Sequence, residues 1–149
     1  PDELEPITGV RILQASASQG TVPHFPVDHA AILVSSLERS LPYYRALLPL
    51  LGFSETPEGL WSNGAGFALK FAEADAGARP YDRHGAGLNH LGFAAADRKA
   101  VVAVASGMAA AGFDVPDIQM FGGAAALFMK DPDGLRFEVS SPPVERPPE

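Results

Sequence analysis

The sequence predicts an α+β fold in which one βαβββ module occurs twice within a single domain. Two matching stretches carry the prediction, Asp28-His29-Ala30-Ala31-Ile32-Leu33-Val34 and Asn89-His90-Leu91-Gly92-Phe93-Ala94-Ala95. Each precedes a helix-like segment that ends in a Gly-Phe pair, Gly52-Phe53 and Gly112-Phe113. The second copy then closes with a turn and a strand, Asp131-Pro132-Asp133-Gly134 running into Leu135-Arg136-Phe137-Glu138-Val139.

At 149 residues the chain is one domain large enough for a hydrophobic core. Each half alone is roughly 45–60 residues, near the limit for independent folding, so the halves are expected to share that core. The chain is 46% hydrophobic and 19% charged, as soluble globular proteins are. Its net charge of -7 argues against nucleic acid, whose binders present a basic face. With no cysteine, disulfides, thiol catalysis and thiolate metal sites are excluded, and any metal must use His and carboxylate. No apolar run reaches the ~18 residues of a membrane span. The acidic start, Pro1-Asp2-Glu3-Leu4-Glu5, has no signal-peptide pattern, although the missing initiator Met leaves room for a removed presequence. A cytoplasmic location is the expectation.

Residues 1–26 form an N-terminal extension, with Val10-Arg11-Ile12-Leu13 a candidate short strand. Module 1 spans about 27–73. It opens with a strand from Val27 to Val34, then a helix capped by Ser36 or Ser40 that runs to about Leu51. Leu37, Leu41, Tyr44, Leu48 and Leu51 form its apolar stripe, which leaves Tyr43 off the stripe and exposed. Pro42 and Pro49 predict an irregular first turn and end. Strands at Gly59–Ser62 and Gly66–Ala72 follow, joined through an Asn63-Gly64 turn, one strand short of the full module. Residues 74–88 are a connector. Module 2, about 89–140, repeats the order with a strand at 89–95 and a helix at 97–111 capped by Asp97. A short strand near Asp117–Met120 and strands at 124–130 and 135–140 complete it. A Pro-rich tail, 141–149, ends the chain.

Successive side chains of a strand face opposite sides of its sheet, so parity places the functional groups. Leu91 and Phe93 oppose His90, Gly92 and Ala94. Leu135, Phe137 and Val139 oppose Arg136, Glu138 and Ser140. Phe67, Leu69 and Phe71 oppose Ala68, Lys70 and Ala72, and Ala30, Ile32 and Val34 oppose His29, Ala31 and Leu33. One face of each strand is thus bulky and suited to lie under a helix, while the other is small or ionisable and leaves room for a cavity. His29 and His90 stand at equivalent strand starts and face one another if the halves close a sheet together. With Glu138 they make a two-His, one-carboxylate set that binds Fe(II) and also suits Mn, Ni or Zn, with open positions for substrate.

These features resemble the vicinal oxygen chelate superfamily, which includes glyoxalase I, fosfomycin-resistance proteins, methylmalonyl-CoA epimerase, extradiol dioxygenases and bleomycin-resistance proteins. The resemblance covers about 27–140. It rests on Asp28-His29, Ser40-Leu41-Pro42-Tyr43-Tyr44-Arg45, Leu51-Gly52-Phe53, Asn89-His90-Leu91-Gly92-Phe93, and Asp131-Pro132-Asp133-Gly134 leading to Glu138. It implies a curved mixed sheet around a metal-site cavity, with His29, His90 and Glu138 as ligands. The glyoxalase I type takes a further carboxylate from the last strand of the first half. Counting four residues on from a glycine leads from Gly134 to Glu138 and from Gly66 to Lys70, so a lysine stands where that ligand would be.

Two readings of Lys70 stand. It anchors an anionic or enediolate oxygen, aided by Arg136, or it marks a retired site in which His29, His90 and Glu138 bond to one another or to the lysine. Tyr81, Arg83 and His84, on the connector, line the cavity mouth in the resembling architecture, so Tyr81 and His84 join Lys70 and Arg136 as candidate substrate contacts. Catalytic roles are expected of Glu138 and Lys70. Trp61 suits packing against substrate or a dimer interface. The expected activity is metal-dependent lyase, isomerase or transferase chemistry on a small chelating substrate, in a homodimer. An Fe(II) extradiol dioxygenase and a metal-free drug-binding protein of the bleomycin-resistance kind are the alternatives.

Overall fold

The computed structural model describes residues 22–143. The candidate strand at Val10–Leu13 and the Pro-rich tail beyond residue 143 lie outside them. The elements run β1 (His29–Val34), α1 (Leu37–Leu50), β2 (Ser54–Glu55), β3 (Trp61–Ser62), β4 (Ala68–Glu73), β5 (His90–Ala94), α2 (Arg98–Ala110), β6 (Gln119–Phe121), β7 (Ala124–Lys130) and β8 (Arg136–Ser140). The order is βαβββ twice. The strand missing from the first copy is β2, a two-residue Ser-Glu strand straight after Gly52-Phe53 that is too short and polar to leave a periodic signal.

Each module forms its own four-stranded mixed sheet, in the orders β1-β4-β3-β2 and β5-β8-β7-β6. The first strand of each runs parallel to the last, and the remaining pairs are antiparallel. The two sheets do not join into one closed surface.

Helix α1 begins where Ser36 accepts a hydrogen bond from the Arg39 backbone N–H, and α2 begins where Asp97 accepts one from Ala100. Contrary to the expectation from Pro42, α1 is one unbroken helix from Leu37 to Leu50. Its buried face is also wider than one stripe, taking in Ser40, Tyr43, Tyr44, Leu47 and Leu48. Tyr43 is 4% exposed because the second module packs over it, with Phe113 edge-on at 5.2 Å between ring centroids. Helix α2 approaches α1 at Gly107, where a Cβ would stand 2.7 Å from a Leu50 methyl.

Tyr44 lies between the modules, 4.2 Å from Phe71 of β4 and 5.5 Å from Phe137 of β8, ring centroid to ring centroid. Its hydroxyl donates to Asp131, which also accepts from the backbone N–H groups of Asp133 and Leu135. Ser35 donates to Asp133 through both its N–H and its hydroxyl, tying the end of β1 to the same turn. The bulky faces of both sheets meet in one core that contains Ile32, Leu69, Leu127 and Phe137. Trp61, 4% exposed, belongs to this core and is available to neither a substrate nor a partner. The Asn63-Gly64 turn is wider than a two-residue hairpin. It is a loop over 63–67 held by the Asn63 side chain, which accepts from the N–H groups of Ala65 and Phe67. Gly64 and Gly66 take positive φ of 71° and 95° there, a conformation that favours glycine.

Candidate metal centre

With both bulky faces turned into a common core, the small and ionisable faces turn outward: the alternation follows strand parity, but these faces do not line a cavity within the chain as expected. Along β1 the residues His29, Ala31 and Leu33 are exposed while Ile32 and Val34 are buried. Along β8 the residues Phe137 and Val139 are buried while Arg136, Glu138 and Ser140 are half-buried.

The ladders place the ionisable groups in matched positions. In module 2, His90 pairs with Arg136 and Gly92 with Glu138. In module 1, His29 pairs with Ala68 and Ala31 with Lys70. Lys70 therefore occupies the same register position relative to His29 that Glu138 occupies relative to His90, as counting from Gly66 and Gly134 indicated.

His90 has an acceptor at each ring nitrogen. Its Nδ1 lies 2.7 Å from Asn89 Oδ1. The Asn89 amide nitrogen donates to the Arg83 carbonyl at 2.8 Å, so the oxygen is the atom that faces the ring, and it can only accept. Nδ1 must then carry a proton. Nε2 faces Glu138 Oε2 at 3.3 Å. On a neutral imidazole that nitrogen has a lone pair, and a lone pair meeting a carboxylate needs a cation between or upon them. A second proton supplies it, and so does a metal ion. Ligand bonds of ~2.1 Å at ordinary coordination angles put two ligands of one ion about 3.0–3.4 Å apart, so the observed separation suits a shared ion.

His29 is arranged in the same way. Its Nδ1 lies 2.7 Å from Asp28 Oδ2, which fixes the proton on Nδ1 and leaves Nε2 free to ligate. A carboxylate behind a ligating imidazole orients the ring and raises its basicity. Nothing in composition or periodicity singled out Asp28 and Asn89 for this task. The signal available was their shared place one residue before each histidine.

His29 does not join the His90–Glu138 pair within the chain. Among the described residues no three His, Asp or Glu side chains converge on one point. The histidines sit on the outward faces of two separate sheets, so the expectation that they face one another is not met inside a single copy. The reason is that Tyr44, Phe71 and Phe137 hold the sheets together through their other faces. Among the described residues, clefts of about 700 Å³ open between the modules and beside β1, and His29, His90, Glu138 and Lys70 line neither of these. One is an apolar cleft between the modules, with Phe53, Leu91 and Phe93 in its wall. The other runs between β1 and the connector. Lys70 is exposed and forms no ion pair among the described residues.

Of the connector residues, Tyr81 is half-buried, and its one hydroxyl proton is shared between the carbonyls of Leu88 and Asn89, at 2.6 and 3.0 Å. Burial raises its pKa, while the nearby Arg83 and Arg136 guanidinium groups pull it the other way. Its visible role is to fold the connector onto the start of β5. His84 is exposed, and its backbone N–H donates to Asp82.

A βαβββ repeat, histidines opening both first strands and a carboxylate beside one of them define a recognisable combination. The profile of the Glyoxalase/Bleomycin resistance protein/Dioxygenase superfamily matches residues 27–139. The chain belongs to that superfamily. Among solved structures, it is similar to a putative glyoxalase from Bacillus halodurans, with a TM-score of 0.69 and 24% identity over 78% of this chain and 95% of that one. A lactoylglutathione lyase from Agrobacterium tumefaciens matches with a TM-score of 0.57 and 23% identity, over 80% of this chain and 95% of that one. A genomically encoded fosfomycin resistance protein from Listeria monocytogenes matches with a TM-score of 0.62 and 16% identity, over 82% of this chain and 97% of that one. At these identities the likeness establishes the fold. No curated protein matches the sequence. Among the described residues no helix is long and apolar enough to cross a membrane.

Proposed function

We propose that this member of the superfamily is a divalent-metal-dependent enzyme of the glyoxalase-like kind. It acts on a small oxygenated substrate that chelates the ion through adjacent oxygens. His29, His90 and Glu138 hold the metal, with Fe, Mn, Ni and Zn all suited to the donor set. The supporting observation is His90, whose Nδ1 is committed to Asn89 while Nε2 and Glu138 converge at 3.3 Å.

The third ligand comes from a second copy of the chain. His29 and Lys70 share one outward face and His90 and Glu138 share the other, in equivalent registers. A two-fold axis that lays module 1 of one copy over module 2 of the other brings the two histidines and Glu138 together twice per dimer, with Lys70 beside them. Covering the outward faces in this way also encloses the space that a single copy leaves open.

When bound, the metal supplies Lewis acidity that polarises the substrate's oxygens. The side chains of this protein do the rest. Asp28 and Asn89 fix the two imidazole tautomers, Glu138 presents a carboxylate to the substrate, and Lys70 and Arg136 offset negative charge as it develops on oxygen. Lys70 in place of a second carboxylate separates this donor set from that of the glyoxalase I type. The same donors also suit an Fe(II) extradiol-type dioxygenase. A metal-free drug-binding protein, the remaining alternative, has no use for two histidines whose Nδ1 atoms are held so that Nε2 can ligate.

Elemental analysis of untagged protein, beside His29→Ala, His90→Ala and Glu138→Ala, tests the reading. Near-stoichiometric metal that disappears in all three variants is the expected result. A wild type that holds no metal, and takes none up on titration, would leave the drug-binding or retired-site reading in its place.

A further inference from the structure

We propose that Arg83 and Arg136 form an oxyanion subsite beside the His90–Glu138 pair, so that the substrate carries a carboxylate or phosphate-type group in addition to its chelating oxygens. The inference rests on the reading of the His90–Glu138 face as the substrate site.

Arg136 stands beside His90, and the Arg83 backbone reaches the residue before it. Arg136 is the direct partner of His90 across the β5–β8 ladder and shares a face with Glu138. Arg83 is brought in by the connector. Its carbonyl accepts from the side chain of Asn89, the residue before His90, at 2.8 Å. The Tyr81 hydroxyl pins the same segment through Leu88 and Asn89. The Asn89 contact and the ladder pairing bring both arginine residues to the start of β5.

Among the described residues neither arginine forms an ion pair, and the Nε atom of each is buried without an acceptor. The neighbouring carboxylates are committed elsewhere. Asp82 accepts from the His84 N–H, Asp131 from Tyr44, Asp133 and Leu135, Asp133 from Ser35, and Glu138 faces His90. Half-buried cations with unmet N–H donors are costly, and such groups in a native protein call for an explanation. The chain is acidic overall, with a net charge of -7, so these two uncompensated guanidinium groups are not part of a general basic surface. Planar guanidinium forks match the oxygens of carboxylates and phosphates, so an oxyanion is the ligand that offsets these uncompensated charges.

The test is calorimetric titration of the full chain with inorganic phosphate and with malonate. A chelator is present throughout, and sodium chloride holds the ionic strength constant. One of the two anions is expected to bind the wild type, and the tighter one assigns the group as phosphate-type or carboxylate. Arg83→Gln and Arg136→Gln should each weaken binding by about 10- to 100-fold, the loss of one charge-assisted contact. Arg98→Gln, an exposed residue in the first turn of α2 that belongs to neither site, should bind as the wild type does. Should Arg136→Gln not fold, Arg83→Gln on the connector decides alone, its fold checked by a wild-type melting temperature in anion-free buffer. No binding of either anion, or equal binding by wild type and the arginine variants, overturns the proposal. With chelator present, failure of the metal reading leaves this result unchanged, so the two can be told apart.

Discussion

Replacing Tyr44 with Phe removes a single oxygen from the contact that joins the two modules. Tyr44 is 0% exposed and Asp131 is 5% exposed. The tyrosine hydroxyl donates to one carboxylate oxygen, and the N–H groups of Asp133 and Leu135 occupy the other. Burial raises the pKa of Asp131, and the Tyr44 hydrogen bond acts in the opposite direction. Tyr44→Phe leaves the aromatic packing against Phe71 and Phe137 intact and strips a buried carboxylate oxygen of its donor. A hydrogen bond to a charged group contributes about 1.5–3 kcal/mol, so the variant should lose that amount. For a chain of this length each kcal/mol corresponds to roughly 2–4 °C, so the melting temperature should fall by about 3–12 °C. Asp131→Ala should cost at least as much, because it also leaves two backbone N–H groups unmet. The double variant should lose less than the sum of the two. The assay is thermal and urea unfolding of all four proteins by circular dichroism. Additive losses, or a Tyr44→Phe variant within about 0.5 kcal/mol of wild type, would refute the idea that this contact couples the modules.

The same carboxylate predicts a pH dependence. Its folded pKa is raised, so the native state holds the proton more tightly than the unfolded chain does. That contribution is complete below the ordinary aspartate pKa of ~3.9 and is lost as pH rises through the folded value. Measured against Asp131→Asn, the wild type should therefore lose relative stability across that window as pH rises; a constant difference contradicts the assignment. Asp28→Ala and Asn89→Ala, which release the tautomers of His29 and His90, should each weaken metal binding by about 10- to 100-fold without changing the circular dichroism spectrum. Unchanged affinity in both would mean that those contacts do not orient ligands. Lys70→Glu replaces a cation with a carboxylate at the register twin of Glu138, and should tighten metal binding by about tenfold or more. Weaker binding on direct titration would show that Lys70 does not approach the ion.

Much of this architecture is legible from residue order alone. The alternation of Phe137, Val139 and their neighbours against Arg136 and Glu138 assigns the faces of β8, and burial follows that alternation. The count from Gly66 and Gly134 identifies Lys70 as the counterpart of Glu138, and the ladders carry the same correspondence. Periodicity reports which side of a strand is apolar but not what that side packs against. For that reason Tyr43 and Trp61, buried by elements distant in sequence, read as exposed or interfacial. The meeting of the two sheets through their bulky faces, which sends His29 and His90 outward, is a non-local choice of the same kind. Asp131 reads as a turn residue, and so it is, but its bond to Tyr44 spans 87 positions and leaves no local mark.

The central claim is a centre that takes His29 from one copy and His90 and Glu138 from another, and mixing two inactive variants tests it most directly. His29→Ala and Glu138→Ala are unfolded together, refolded as a mixture, and assayed for bound metal. In a two-fold dimer each mixed pair regains one intact site of two, so an equimolar mixture should recover about one-quarter of the wild-type metal while each variant alone holds none. A mixture that stays as empty as its components contradicts a shared centre.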